Sequence, residues 1–209
     1  MAKDFLIGID EAGRGPLAGP ISVGVFSVRS KDILKKFRGV KDSKQLSELQ
    51  REEWFRTIKQ HKKDGSILYA VSFSSSEVID TKGLTRATRS AMNRCLKRLE
   101  KHHFAVKKSR ILLDGSLYAP ARYPNQMTII DGDAKEPIIA LASICAKVLR
   151  DRKMKRLAKE FPQYGFEEHK GYGTKAHYKA IKKHGVSPIH RRSFLKGLEL
   201  KSARLKSVR

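Results

Sequence analysis

Short apolar runs that stop at polar punctuation dominate the first two thirds of the chain. Phe5-Leu6-Ile7-Gly8-Ile9 is continuous and closes on two acids, Asp10 and Glu11, the pattern of a buried strand. Pro16 and Gly19-Pro20 punctuate a loop. Ile21 to Val28 then resumes with β-branched and aromatic residues as a second strand. Ser66 to Phe73, Arg110 to Leu113 and Met127 to Ile130 predict three more. Helical spacing sets in between and after them. Ser47 followed by Gln50 is a capping-box signature opening a helix through about Gln60, and Leu84, Ala87, Ala91, Cys95 and Leu99 mark another. Beyond Pro137 the residues Ile138, Leu141, Ala142, Cys145, Val148 and Leu149 share one stripe of a long helix, whose second half, Arg150 to Lys159, turns basic. Thr174 to His184 is the clearest of the shorter helices that follow. Strands early and helices late predict an α/β sheet domain over residues 1–160. A helical C-terminal subdomain with a basic tail after Gly197 would cover residues 161–209.

Charge narrows the partners. Lys and Arg number 45 against 21 Asp and Glu, a net +24, and such a field favours polyanions through release of condensed counterions. The excess concentrates in residues 150–209. A basic surface that serves only solubility, or a ribosome-associated protein, would carry the same charge. A membrane is a poor partner: no apolar run reaches the roughly 20 residues of a span, and no helix opposes a basic face to an aromatic one. The first residues lack the form of a signal peptide, and Cys95 and Cys145 are too few and too distant for a disulfide framework. Buried free thiols in a reducing cytoplasm are the expectation.

In a chain so rich in base, acids at strand ends stand out. Asp10 with Glu11, Asp114, and Asp131 or Asp133 each close an apolar run. Turn chemistry accounts for Asp114-Gly115 or Asp133 taken singly. It accounts less well for Asp10-Glu11, because adjacent carboxylates after a buried strand repel unless a cation compensates. Together the acids offer hard oxygen ligands suited to Mg²⁺ or Mn²⁺. Two such ions about 3.5–4 Å apart can bind both the attacking and leaving oxygens of a phosphoryl displacement. Gly13-Arg14-Gly15 adds a loop whose backbone can approach a ligand closely, with Arg14 in reach of a phosphate. The histidines 169, 177, 184 and 190 match no zinc-ligand spacing and are expected to be solvated or backbone-bonded. Trp54 is expected to pack in the core and Asp151 to form a structural ion pair among neighbouring arginines. Lys147 either approaches the acids or only neutralises them.

These residues resemble a family. Asp10-Glu11-Ala12-Gly13-Arg14-Gly15-Pro16-Leu17-Ala18-Gly19-Pro20 is similar to the signature of ribonuclease HII. Further blocks follow in the family's order: Asp42-Ser43-Lys44-Gln45-Leu46, Leu112-Leu113-Asp114-Gly115, Gly132-Asp133, Ala142 to Val148, Arg150-Asp151, Phe161 to Phe166, His169 to Thr174 and His190 to Phe194. The resemblance spans roughly residues 5–195 and is far more specific than any one motif. It implies a ribonuclease H-like fold, a central mixed β-sheet flanked by helices. It also implies a two-metal endoribonuclease acting on RNA–DNA hybrids and 5′ to single ribonucleotides in duplex DNA, as in ribonucleotide excision repair.

Carried over by position, Asp10, Glu11, Asp114 and Asp133 are the catalytic metal ligands, with Pro137 and the Ala-Ser-Ile block fixing the register at Asp133 rather than Asp131. Gly13, Arg14 and Gly15 would meet the ribose 2′-hydroxyl and adjoining backbone, Tyr172 the sugar beyond it, and Ser43 and Lys44 the nucleic-acid backbone. The sister family, ribonuclease HIII, has threonine at the position of Arg14 and an extra N-terminal domain, so HII is the nearer likeness. A monomer is expected, and no docking peptide for a sliding clamp is evident. Two rivals carry the same charge: a non-catalytic nucleic-acid-binding protein, and a DNA-cutting nuclease or transposase on a related fold.

Overall fold

The computed structural model describes residues 5–102 and 104–197. The basic tail expected after Gly197 lies outside the described residues. In chain order the elements are β1 (Leu6–Ala12), β2 (Ile21–Val28), α1 (Glu48–Lys63), β3 (Ile67–Ser74), α2 (Ser76–Lys82), α3 (Leu84–Lys101), β4 (Arg110–Asp114), β5 (Gln126–Ile129), α4 (Gly132–Lys135), α5 (Pro137–Glu160), α6 (Phe166–His169) and α7 (Lys175–His184). The strands form one mixed sheet in the order β3-β2-β1-β4-β5, antiparallel across β3, β2 and β1 and parallel from β1 through β4 to β5. The expected α/β fold with a mixed sheet flanked by helices is present.

Alternation along the strands divides the core in two. Leu6, Phe26, Val28 and Leu112 face one side and pack with Phe55, Ile58, Ile138, Leu141, Ile144 and Cys145 of α1 and α5. Ile7, Ile9, Val23, Val25, Ile111 and Leu113 face the other and pack with Ala91, Met92, Cys95, Leu96 and Leu99 of α3. Each fully buried aliphatic side chain contributes about 1.5–3 kcal/mol, so both layers are needed. Cys95 and Cys145 are buried free thiols as expected, and burial pushes the Cys95 thiol up to about 12. Trp54 is half-buried against the first layer.

Helix α5 differs from the single stripe that its sequence predicts. From Ile138 to Ala146 it is buried on every side. The cause lies partly in the strands beneath it. Gly8 and Gly24 leave no side chain on the face it covers, and a Cβ at either would stand 2.2 Å from the carbonyl oxygen of Ile138 or Ala142. The helix therefore rests on the sheet backbone itself, and its second turn reaches the C-terminal end of β1.

A third apolar cluster joins the C-terminal third to the loop after β1. Leu17 and Ala18 pack with Met154, Ala158, Tyr164, Phe166, Ile181 and Leu195. Backbone bonds reinforce it: Leu17 N–H donates to Gly171 O (2.8 Å), Gly19 N–H to Ile189 O (2.8 Å), and Arg191 N–H to Leu17 O (2.7 Å). The glycine-rich loop is thus held between the sheet and the C-terminal helices.

Candidate active site

Strand β1 does not end before its acids. Asp10 pairs with Gly24, Glu11 with Val23 and Ala12 with Ser22, so the ladder continues three residues past the apolar run. The expectation that the pair stands beyond the strand is corrected, and the correction matters. Adjacent residues of a strand face opposite sides. Asp10 turns toward α5, and Glu11 toward the side of α3 and the loop.

Parallel register does the rest. Ile9 lies beside Leu113, so the next pair along is Asp10 and Asp114, both on the α5 side. Asp114 is fixed by backbone donors: its Oδ1 accepts from Gly132 N–H at 2.7 Å and Asp133 N–H at 3.4 Å. Asp131 adopts a left-handed conformation, φ 53°, and turns the chain into α4. That turn leaves Asp131 exposed and Asp133 buried, and carboxylate oxygens of Asp10, Asp114 and Asp133 come within 4.8 Å of one another. The two acids that the apolar pattern leaves as alternatives, and that the family register resolves to Asp133, are told apart here by one residue in the left-handed region.

Glu11 stands beside this trio. Its Oε1 accepts from Arg14 at 3.2 Å, while its Oε2 is buried and has no hydrogen-bond partner. Burial and the neighbouring Glu11 charge raise the Asp10 carboxyl well above the usual carboxylate range, although Ser143 and the Glu11 amide oppose the shift. Burial raises Glu11 also, against the pull of Arg14. Both shifts mark negative charge held out of water with too little compensation.

The flanking residues close the site. Lys44 reaches in from the loop before α1 and donates to Asp133 at 2.8 Å, a contact that raises its ammonium above the ordinary lysine value. Ser43 is buried, its hydroxyl 2.7 Å from that of Ser143 on α5. Asp10, Glu11, Gly13, Arg14, Gly15, Ser43, Lys44, Asp114 and Tyr172 all line one cavity of about 250 Å³, together with Ser143 and Lys147. Asp133 joins it through Lys44. Gly13 has φ 94° and Tyr172 is exposed on the rim, 4.0 Å from the site of a Gly15 Cβ.

Ser143 is a residue that sequence reasoning missed: within an apolar helix stripe a serine reads as filler. Lys147, one turn further along α5, lies in the cavity wall with its amine on Asp151 Oδ1 at 2.8 Å, and burial lowers its basicity. Asp151 does form a structural ion pair, but with Lys147 and, at 3.9 Å, Arg51 rather than with its sequence neighbours. The histidines divide between the two expected states, His184 exposed and the other three bonded to backbone. His169 and His177 bond to backbone carbonyls, and His177 Nε2 also lies 3.0 Å from His190 Nε2 in a fully buried contact.

Three acids brought together from β1, β4 and α4, with a lysine and a glycine-rich loop beside them, suit phosphodiester hydrolysis. The ribonuclease HII family profile matches residues 7–196. The chain belongs to the ribonuclease HII family. It is 46% identical to the ribonuclease HII of Endomicrobium trichonymphae over 187 residues, covering 90% of this chain and 83% of that one. It is 44% identical to that of Clostridioides difficile over 194 residues, covering 93% and 71%. The ribonuclease HII of Archaeoglobus fulgidus, solved in complex with PCNA, superposes with a TM-score of 0.69 at 26% identity, covering 95% of this chain and 98% of that one. Membership of the ribonuclease HII family makes the protein a ribonuclease H, a hydrolytic endonuclease, on a ribonuclease H-like fold. Among the described residues no helix is long and apolar enough to cross a membrane.

Proposed function

We propose that the protein cleaves RNA in RNA–DNA hybrids and cuts 5′ to a single ribonucleotide embedded in duplex DNA. The products are 3′-hydroxyl and 5′-phosphate ends, an activity suited to ribonucleotide excision repair in the cytoplasm. The observation that carries the reading is the juxtaposition, in one cavity, of the buried carboxylates with Gly13-Arg14-Gly15 and Tyr172. One half of that cavity suits hydrolysis and the other suits recognition of a ribose.

Asp10, Glu11, Asp114 and Asp133 are the residues proposed to hold divalent metal. The fit rests on donor chemistry: hard carboxylate oxygens close together, an orphaned buried oxygen on Glu11, and an Asp10 carboxyl destabilised by its surroundings. When bound, Mg²⁺ or Mn²⁺, two ions during catalysis, supplies an activated water and stabilisation of the leaving 3′-oxygen. The chain's own residues do the rest. Ser143 orients Asp10, and the Gly132-Asp133 amides orient Asp114. Lys44 and Ser43 meet the nucleic-acid backbone, and Lys44 exchanges Asp133 for phosphate when substrate arrives. Arg14 and the flanking glycines meet the ribose and its phosphate, and Tyr172 packs on the sugar beyond.

Residues 1–160 act as the catalytic domain in this reading, and residues 161–209 as the subdomain that carries Tyr172 and much of the basic charge to the duplex. The protein works as a monomer. A sliding clamp is a candidate partner because the Archaeoglobus relative was solved with one.

The deciding experiment uses three duplexes of the same sequence with zero, one or four ribonucleotides in one strand. Cleavage of the second and third but not the first, abolished by EDTA, is the expected result. Cutting of the all-DNA duplex at a comparable rate overturns the reading in favour of a ribose-independent nuclease. Binding without cleavage under any metal condition overturns it in favour of a binding protein.

A further inference from the structure

Two of the largest fully buried side chains in the molecule are arginines. Arg150, from α5, and Arg191, from the segment after α7, are each 0% exposed. Among the described residues neither has a carboxylate within ion-pair distance. Their partners are all backbone carbonyls. Arg191 donates to Gly13 O at 2.7 Å, Arg14 O at 2.8 Å and Gly19 O at 3.0 Å. Arg150 donates to Pro20 O at 2.9 Å, Lys170 O at 3.1 Å and Ala18 O at 3.4 Å. Burial lowers both guanidiniums, and Arg191 falls to about 9 through burial and then the charge of Arg150.

Burying two unpaired cations side by side is costly, and an apolar pair of equal volume would fill the same space more cheaply. What an apolar pair could not do is hold the loop in one orientation. A trans peptide is planar, with its N–H directed opposite its C=O. Because Arg191 draws in the carbonyls of Gly13 and Arg14, the amides of Arg14 and Gly15 are turned the other way, toward the cavity that these residues line. Neither amide donates to another described residue. Two consecutive outward N–H groups form a concave donor site suited to a hydroxyl or phosphate oxygen. Arg150 fixes the same loop from below. A Cβ at Gly13 would lie 2.1 Å from its Nε, and its guanidinium carbon is 5.8 Å from the centre of the Tyr172 ring.

We propose that Arg150 and Arg191 are positioning residues for ribose selection, setting the Arg14 and Gly15 amides and the Tyr172 ring at the spacing of a ribonucleotide. The inference rests on the reading that this loop meets the ribonucleotide, and it adds the residues that give the loop its geometry. Neither arginine touches substrate. Their charge adds to the field under the scissile strand, and their fork geometry adds the selectivity. Lysine retains the first property and loses the second, since one ammonium cannot span three carbonyls held by a planar fork.

The experiment compares wild type with Arg191→Lys, well below the melting temperature of each. It measures KM and kcat on a duplex with one ribonucleotide, and the inhibition constant of an all-DNA duplex as competitor. The expected result for Arg191→Lys is a KM raised about tenfold, with kcat and the all-DNA constant within about twofold. Tyr164→Phe serves as the structural control. It removes the hydroxyl bond to Gly185 O in the same apolar cluster, and should lower the melting temperature without changing the ratio of the two constants. Should Arg191→Lys not fold, amide exchange on the wild type replaces it. The Arg14 and Gly15 amides should exchange quickly in the free protein and gain protection with the one-ribonucleotide duplex only. A folded Arg191→Lys with wild-type ratio, an equal loss on both duplexes, or equal amide protection by both overturns the inference. A wild type that does not distinguish the duplexes at all sinks the functional reading and this inference with it.

Discussion

The two sides of the Asp10–Gly15 segment confront the same physical problem with opposite charge. On one side, Asp10, Asp114 and Asp133 crowd together with Glu11 beside them, and one Glu11 oxygen has no partner. On the other, Arg150 and Arg191 lie fully buried with no counterion among the described residues. Buried charge is costly on both sides. The arginines are satisfied by six bonds to carbonyl oxygens, five of them in the loop they support and the sixth on Lys170, so that side is complete in the protein alone. The acids are only partly satisfied, by Lys44, Arg14, Ser143 and three amides. That side is the one proposed to be completed by a cation. The difference separates a device for holding from a device for binding, and under the proposed function cleavage falls to the first region and selection to the second.

The largest effect that would break this division falls on the acids. Asp10→Asn and Asp114→Asn should each lower cleavage of a one-ribonucleotide duplex by roughly 10³-fold or more, since metal-supplied stabilisation is worth several kcal/mol. Duplex binding should persist, because the basic surface supplies it. Single-turnover cleavage beside an electrophoretic binding assay checks both, and near-wild-type cutting in either variant contradicts the assignment.

A smaller effect belongs to the residue between the two regions. Arg14 pairs with Glu11 through its side chain and with Arg191 through its carbonyl. Arg14→Ala should reduce the preference for a ribonucleotide-containing duplex about tenfold while weakening all-DNA binding by about twofold. Equal losses on both would make Arg14 a general phosphate contact.

The smallest expected effect concerns the histidines behind Tyr172. His177 Nδ1 must donate to the Tyr172 carbonyl (2.9 Å) and His190 Nδ1 must accept from Ser187 N–H (2.9 Å), so a single Nε2–H joins the rings and both are neutral. Burial lowers each from 6.5 to about 4. The unfolded chain then binds more protons between those values, so their contribution is complete above pH 6.5 and is lost as pH falls toward 4. Asp10 opposes this trend, because its raised carboxyl gains stability on protonation. In an Asp10→Asn background the melting temperature should therefore fall more steeply from pH 6.5 to 4.5 than in wild type. No fall at all in the Asp10→Asn background contradicts the neutral pair, and parallel falls in the two proteins contradict the raised Asp10 carboxyl.

Much of this arrangement was legible in the sequence, and the failures have physical causes. The capping box at Ser47 and Gln50 is formed, and β2 spans Ile21–Val28 as its alternation predicts. Those signals are local. The true end of β1 was hidden because its last three residues are held by β2 across the sheet, not by their own apolarity. The choice between Asp131 and Asp133 depended on one left-handed residue, which no periodicity reports. Arg150 and Arg191 fall within blocks of the family resemblance, but their role was hidden for a different reason. In a basic stretch an arginine reads as solvated surface, and only the fold reveals that most of its acceptors are the carbonyls of a loop more than a hundred residues away. Ser143 was hidden likewise, inside a helix buried on all sides.

The central claim, that the carboxylates form a site completed by a cation, is tested most directly by calorimetric titration of Mn²⁺ into wild type and into Asp10→Asn, with the melting temperature followed in parallel. The account predicts saturable binding that raises the wild-type melting temperature. It predicts for metal-free Asp10→Asn a melting temperature above that of the metal-free wild type, because a repelling charge is gone, and little further rise with Mn²⁺. Equal Mn²⁺ stabilisation of the two proteins, or none of the wild type, would contradict it.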